Sequence, residues 1–290
     1  MSIAFFNGNF LPKEEIHISP DDRGFLFADG IYEVVRWYPG FFYDMEGHIS
    51  RLKRSLREVR IEWPEADNFG SVARELVERN GLSSTHALVY LQVTRGAAKR
   101  AHAFPNPPIP PTSYAFARGI RPDNAAIEKG LTAILKKEIR WDRCDIKSVS
   151  LLPNILSFQE AVETGNHECI FVRDGLITEC AHSNIFLVKG DTLYTHPESH
   201  SILSGITRKN ILRIAREGGI KVSETAVHEK DLPEMTEAFM SNTSHEVAPI
   251  ININGIPVGD GRPGKITMQL RKLFNDDLMK QSEAATKSGR

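Results

Sequence analysis

The stretch WDRCDIKSVSLLPNI, residues 141–155, decides how the rest of the chain is read. It follows LTAILKKEIRW (131–141), a strand pattern, and runs into SLLPNILSFQEAVETG, which predicts a helix. Lys147 therefore falls at a strand-to-helix junction, beside Cys144, Ile146, Val149 and two leucines. Partial loss of solvent there would favour the neutral, nucleophilic amine and Schiff-base chemistry. Taken alone, the same lysine reads as a surface residue paired with Asp145.

With 290 residues and 41% hydrophobic side chains, the chain can bury one large core or two medium ones, and ordinary domain sizes favour two. Its 36 basic and 37 acidic residues leave a net charge of -1, with no like-charge run to follow a phosphate backbone or a membrane surface. Nucleic acid and lipid are poor partners on this ground. The three cysteines, Cys144, Cys169 and Cys180, are odd in number and lack metal-ligand spacing, which argues against a disulfide framework or a metal site and for a reducing, cytoplasmic setting. MSIAFFNGNFLPKEE has no basic stretch followed by an apolar core, and no apolar run approaches the ~18 residues of a membrane span. Neither export nor anchoring is expected.

IAFFNGNFLP reads as a hairpin turning at Asn7-Gly8, and GIYEVVRWYPGFFYDM as a second one turning at Pro39-Gly40. Ile49, Leu52, Leu56 and Val59 recur at helical spacing, NFGSVARELVERNGL repeats that pattern, and HALVYLQVTRG and SYAFARGI read as strands. FPNPPIPP (104–111) is neither helix nor central strand, because proline lacks the backbone donor. RPDN (121–124) reads as a linker between a smaller N-terminal α/β domain at 1–120 and a larger domain at 124–290. In the second domain, strands at 130–140, 168–173, 183–189, 220–226, 237–241 and 247–253 alternate with helices at 153–163, 207–217 and 265–280. The fold class is α+β with an antiparallel or mixed sheet, and the tail EAATKSGR is expected to be disordered.

Lys147 has chemical company. TECAHSNIFLV (178–188) puts Glu179 in a turn before a buried strand, where a carboxylate could pair with a protonated ring nitrogen; an isolated glutamate there would be a solvated turn residue. SILSGITRKNILRIARE (201–217) begins a helix at Gly205-Ile206-Thr207, whose unpaired N–H groups suit a phosphate, although Thr207 reads equally well as a plain cap. SNTSHE (241–246) offers further hydroxyls, and Arg51 a forked cation, each with a solvated surface role as the ordinary alternative.

At this order and spacing the chain resembles the fold type IV pyridoxal-phosphate enzymes from about Phe5 to the last helix, and within them the D-amino-acid aminotransferases. The likeness runs through DRGFLFADGIYEVVRWY, EGHISRLKRSL, QVTRGAAKRAHAFP, IRWDRCDIKSVSLL, LYTHPESHSILSGITR and the region of SNTSHE. The resemblance implies two domains, the larger with a mixed, barrel-like sheet, and pyridoxal 5'-phosphate as cofactor. By the same resemblance Lys147 would carry that cofactor and move a proton at the substrate's Cα, and Glu179 would keep the ring nitrogen protonated. Arg51, Ile206, Thr207 and Thr243 would hold the phosphate, and Leu203 would pack against the ring. Tyr32, Arg100 and His102 would trap the substrate carboxylate, with the Arg100/His102 loop contributed by the partner of a homodimer.

The implied activity is transamination between D-amino acids and 2-oxo acids, of the type D-alanine plus 2-oxoglutarate giving pyruvate plus D-glutamate. An (R)-amine or branched-chain transaminase, an aminodeoxychorismate lyase and a cofactor-carrying binding protein are the alternatives. One departure stands out: where D-amino-acid aminotransferases carry small hydroxyl residues after the glutamate, this chain reads Cys180, Ala181, His182, Ser183. His182 either lines the cofactor or side-chain pocket or packs as a core histidine.

Overall fold

A computed structural model describes residues 2–121 and 124–288. The described residues divide into two compact units: those within 1–121, 146–150 and 285–290 in one, and those within 122–145 and 151–284 in the other. The expected split near 121–124 assigned Lys147 to the later domain, whereas segment 146–150 groups with the first unit. The reason is local hydrogen bonding, described below. Part of the expected linker, residues 122–123, lies outside the described residues.

The first unit contains β1 (Ile3–Phe6), β2 (Asn9–Pro12), α1 (Arg23–Phe27), β3 (Gly30–Tyr38), β4 (Phe41–Phe42), α2 (Met45–Glu58), α3 (Phe69–Arg79), β5 (Ala87–Thr94) and β6 (Thr112–Gly119). Its six strands form an antiparallel sheet in the order β2-β1-β6-β5-β3-β4. The β1–β2 hairpin turns at Asn7 and Gly8, whose φ values of 46° and 87° suit the primed turns that match strand twist. The apolar stripes of α2 and α3 settle on one face of this sheet, burying Leu52, Leu56, Phe69 and Leu76 against Ile31, Val35, Val89 and Leu91. Each such side chain contributes roughly 1.5–3 kcal/mol by leaving water.

The second unit contains α4 (Asn124–Lys129), β7 (Leu131–Lys137), α5 (Leu152–Glu163), β8 (Glu168–Arg173), β9 (Leu176–Cys180), β10 (Asn184–Lys189), β11 (Thr192–Tyr194), α6 (Ile206–Glu217), β12 (Lys221–Ser223), β13 (Glu237–Asn242), β14 (Glu246–Ile253), β15 (Ile256–Pro257) and α7 (Lys265–Ser288). Eight strands run β12-β11-β10-β13-β14-β7-β8-β9, and β15 pairs with β14. The β11–β12, β14–β7 and β7–β8 pairs are parallel, so the sheet is mixed. β9 ends this order and β10 lies well inside it, yet only residues 181–183 connect them, with Cys180 N donating to Ser183 O at 2.8 Å. Such a short connection requires the sheet to curl back on itself, which gives the barrel-like form. The expected loose tail is otherwise: α7 continues to Ser288, and residues 289–290 lie outside the described residues. Among the described residues no helix is long and apolar enough to cross a membrane, and no cluster of His, Cys, Asp and Glu is placed to hold a metal.

Candidate active site

In the first unit the site is built on β3. Alternation along GIYEVVRWY sends Ile31, Glu33 and Val35 into the core with α2, and Tyr32 to the opposite face. A carboxylate among core residues needs a partner, and α2 supplies two. Arg51 donates to Glu33 through Nε at 2.7 Å and Nη2 at 2.9 Å, and His48 Nδ1 lies 2.9 Å from the same carboxylate. All three side chains are buried. Burial pushes the Glu33 carboxyl up, but the charge and hydrogen bonds of Arg51, aided by His48, outweigh it and hold the group well below the usual carboxylate range. Arg51 is thus a fixed buried cation, and Glu33, which the sequence reading did not single out, is what fixes it. The signal was there: a lone acid on the apolar face of a strand.

Segment 146–150 lies against β3, joined to it by a single bridge and two backbone hydrogen bonds. Tyr32 N donates to Lys147 O at 2.9 Å, Val149 N donates to Gly30 O at 3.1 Å, and Ile31 bridges Ser148. The backbone of Lys147 is therefore registered against Tyr32, and its Nζ stands 4.2 Å from the centre of the Tyr32 ring, which stacks on Tyr90 at 5.7 Å. Asp145, the partner considered for Lys147, instead receives both Nε and Nη2 of Arg143, at 2.9 and 3.1 Å. Arg100 and His102 are exposed and meet on another ring: their side chains lie 5.1 and 5.6 Å from the centre of Phe27. Within one chain, the expected carboxylate trap is an arginine–histidine pair on Phe27 and a tyrosine on Tyr90.

In the second unit Glu179 is the centre. It lies on β9 itself, not in a turn; the turn comes after it, at 181–183. Its carboxylate accepts from Arg140 Nη1 at 2.6 Å, Asn184 Nδ2 at 2.9 Å and Leu203 N at 3.0 Å. Burial raises the Glu179 carboxyl to about 7 against these donors. Arg140, itself buried against Glu138 and Glu179, is kept charged. Arg140 was missed because IRWDR offers two cations, Arg140 and Arg143, and nothing local ranks them.

Asn184 joins Glu179 to the expected phosphate-binding residues. Its Nδ2 also donates to Leu203 O at 3.0 Å, its backbone is paired with Ser241 across β10 and β13, and a Cβ on Gly205 would stand 2.0 Å from its Oδ1. Only glycine permits that approach. Gly205 caps α6 without a side-chain hydrogen bond, leaving the N–H groups at the start of the helix, at Ile206 and buried Thr207, without a side-chain cap. Thr243 lies in the turn that follows β13, closed by the Asn242–Glu246 pair, and the Ser241 hydroxyl beside it is buried with no partner. Glu179, Leu203, Ile206, Thr207 and Thr243 thus gather around one end of the curled sheet.

His182 is no core histidine. Its side chain is 45% exposed, with Nδ1 3.0 Å from the fully buried Glu168 carboxylate and its ring edge-on to Phe158 at 4.8 Å. Glu168 also accepts from Ser183 Oγ at 2.8 Å, so one buried carboxylate holds two successive residues of the turn.

A helix N-terminus with no side-chain cap, an unpartnered buried hydroxyl and a buried carboxyl held near neutrality form a polar set that fits a phosphorylated, ring-nitrogen-bearing cofactor. Comparison with known proteins agrees. The family model for amino-transferase class IV matches residues 30–253. The D-alanine aminotransferase of Staphylococcus haemolyticus is 38% identical over 283 residues, covering 97% of this chain and all of that one. Among solved structures, the branched-chain amino acid aminotransferase of Escherichia coli superposes with a TM-score of 0.88 at 25% identity, over 95% of this chain and 94% of that one. The T.th. branched-chain amino acid aminotransferase with pyridoxamine 5'-phosphate gives 0.86 at 25% identity, over 95% and 93%.

Proposed function

The chain belongs to the class IV aminotransferases, and from that premise we propose that it is a pyridoxal-5'-phosphate-dependent transaminase of D-amino acids, exchanging the amino group between a D-amino acid such as D-alanine and 2-oxoglutarate. The observation that carries the substrate class is the end-to-end likeness to a D-alanine aminotransferase, joined to the Arg100/His102 pair on Phe27. Such a pair presents one planar fork and one ring donor to a carboxylate.

Lys147 would carry the cofactor, with Glu179 at the ring nitrogen and Leu203 against the ring. The Arg51 cation, the α6 N-terminus at Ile206 and Thr207, and the Thr243 hydroxyl would hold the phosphate. Bound there, pyridoxal phosphate supplies an electron sink for the pair left at the substrate's Cα. The protein would supply the proton traffic: the Lys147 amine, registered against Tyr32, would take the proton from the donor's Cα and deliver it to C4′ of the cofactor, and in the second half-reaction move a proton back to the Cα of the incoming 2-oxo acid from the same side, so stereochemistry follows from which end of the pocket takes the carboxylate. Arg100 and His102, with Tyr32, choose the D orientation.

In this reading the enzyme is a homodimer in which the exposed 100–102 loop serves the neighbouring subunit's site. Helix α5 supports it: Leu152, Ile155, Leu156 and Val162 are 65, 59, 57 and 48% exposed, an apolar face that suits a second copy. Three free, buried thiols suit a reducing cytoplasm.

A branched-chain specificity is the second reading, favoured by the two structural neighbours. Mixing the cofactor-loaded protein with D-alanine or with L-leucine, while following cofactor absorbance, separates the two. D-alanine alone should change the band rapidly; a fast response to L-leucine with none to D-alanine reverses the assignment.

A further inference from the structure

Phe27, the last residue of α1, carries more than the Arg100/His102 pair. The Arg23 guanidinium lies 4.7 Å from the same ring centre, so two cations share one aromatic residue. Arg23 is buried, and its Nη1 donates to Ala101 O at 2.6 Å and Ala103 O at 3.4 Å, the carbonyls on either side of His102. Its Nε donates to Asp29 at 2.8 Å. Asp29 also receives Nε and Nη2 of Arg95, at 2.8 and 2.9 Å. Arg95 in turn donates to Arg60 O and Val59 O, at 2.8 and 2.6 Å, and lies 3.5 Å from the centre of the Phe104 ring. Loop 100–104 is therefore gripped on both sides of His102, by hydrogen bonds to its backbone and by stacking at both ends. One carboxylate, Asp29, is thus shared by the two arginines of the clamp.

We propose that Phe27 is a positioning residue for the carboxylate trap, a platform that the Arg23–Asp29–Arg95 clamp holds in place and on which Arg100 and His102 are aligned before substrate arrives. The proposal rests on reading Arg100 and His102 as the carboxylate-binding pair. A trap aligned in advance loses no loop freedom on binding, so the platform acts on substrate affinity and leaves the proton transfer at Lys147 alone.

The test is a double-mutant cycle on cofactor-loaded enzyme, with KM and kcat for D-alanine and the inhibition constant of propionate, an unreactive carboxylate. Phe27→Leu should raise KM and the propionate constant about ten-fold in parallel while kcat stays within about two-fold, and Phe27→Tyr, which keeps the ring, should hold both constants within about two-fold. In an Arg100→Ala background the Phe27→Leu effect should shrink well below about ten-fold, to the part carried by His102, which still rests on the same ring. Arg23→Lys, which keeps the charge and loses the fork, should give the same KM-only pattern and covers the case of a Phe27→Leu protein that fails to fold. A Phe27→Leu effect that persists undiminished without Arg100, or one that falls on kcat alone, overturns the platform. Arg100→Ala with unchanged KM overturns the trap reading and the platform with it, whereas an Arg100→Ala loss without any loss in Phe27→Leu overturns the platform only.

Discussion

Arg140 Nη1 lies 2.6 Å from Glu179 Oε1, and both side chains are almost wholly buried. That contact opposes the burial of Glu179, the carboxyl proposed to meet the cofactor's ring, without overcoming it. Burial raises the Glu179 carboxyl from 4.5 to about 7, so the folded protein binds this proton more tightly than the unfolded chain. The associated stability is fully present below about pH 4.5 and is lost as pH rises through about 7. In cofactor-free protein, urea midpoints should show wild type losing ground to Glu179→Gln between pH 5 and 8, by on the order of a few kcal/mol. In loaded enzyme, Glu179→Gln should lower kcat about 100-fold, measured with D-alanine.

Glu33 and Arg51 make the opposite case. The Glu33 carboxyl is depressed, so its contribution is present at neutral pH and is lost as pH falls below about 4.5. Glu33→Leu leaves a buried guanidinium without its counter-charge and should cost roughly 3–5 kcal/mol by denaturant unfolding; adding Arg51→Met should restore much of it. Both variants should also weaken cofactor retention, read by equilibrium dialysis.

The pair on Phe27 predicts a substrate effect. Arg100→Ala removes a charged hydrogen-bond donor and should raise KM for D-alanine by about 10- to 100-fold in steady-state assays, with a smaller change in kcat.

Helix α5 predicts an assembly effect. On the proposed dimer, Leu156→Glu puts a charge in the exposed apolar face of this helix and should shift the protein toward a monomer by light scattering, with activity falling in proportion.

Much of this was legible from sequence because periodicity reports burial directly. Helices α2, α5 and α6 lie within a few residues of their expected bounds, and the strands around Cys169 and Phe239 where alternation and apolar runs placed them. Lys147 could be picked out by its junction, but the segment's alignment beside β3 could not, since a five-residue piece carries no periodic signal of its own. Glu179 was read as a turn residue before the strand at 183–189, whereas β9 runs through Cys180 and the turn falls just after it, at 181–183, a shift of register that local composition does not report. The clamp around Asp29 was invisible for another reason. Its arginines, Arg23 and Arg95, are far apart in the chain, and α1 is too short to announce itself.

The most direct test of the central claim is to load the protein with pyridoxal phosphate, reduce it with borohydride and map the labelled peptide. The label should sit in WDRCDIKSVSLLPNI, on Lys147. A stable label on another lysine, or none on Lys147, would contradict the account.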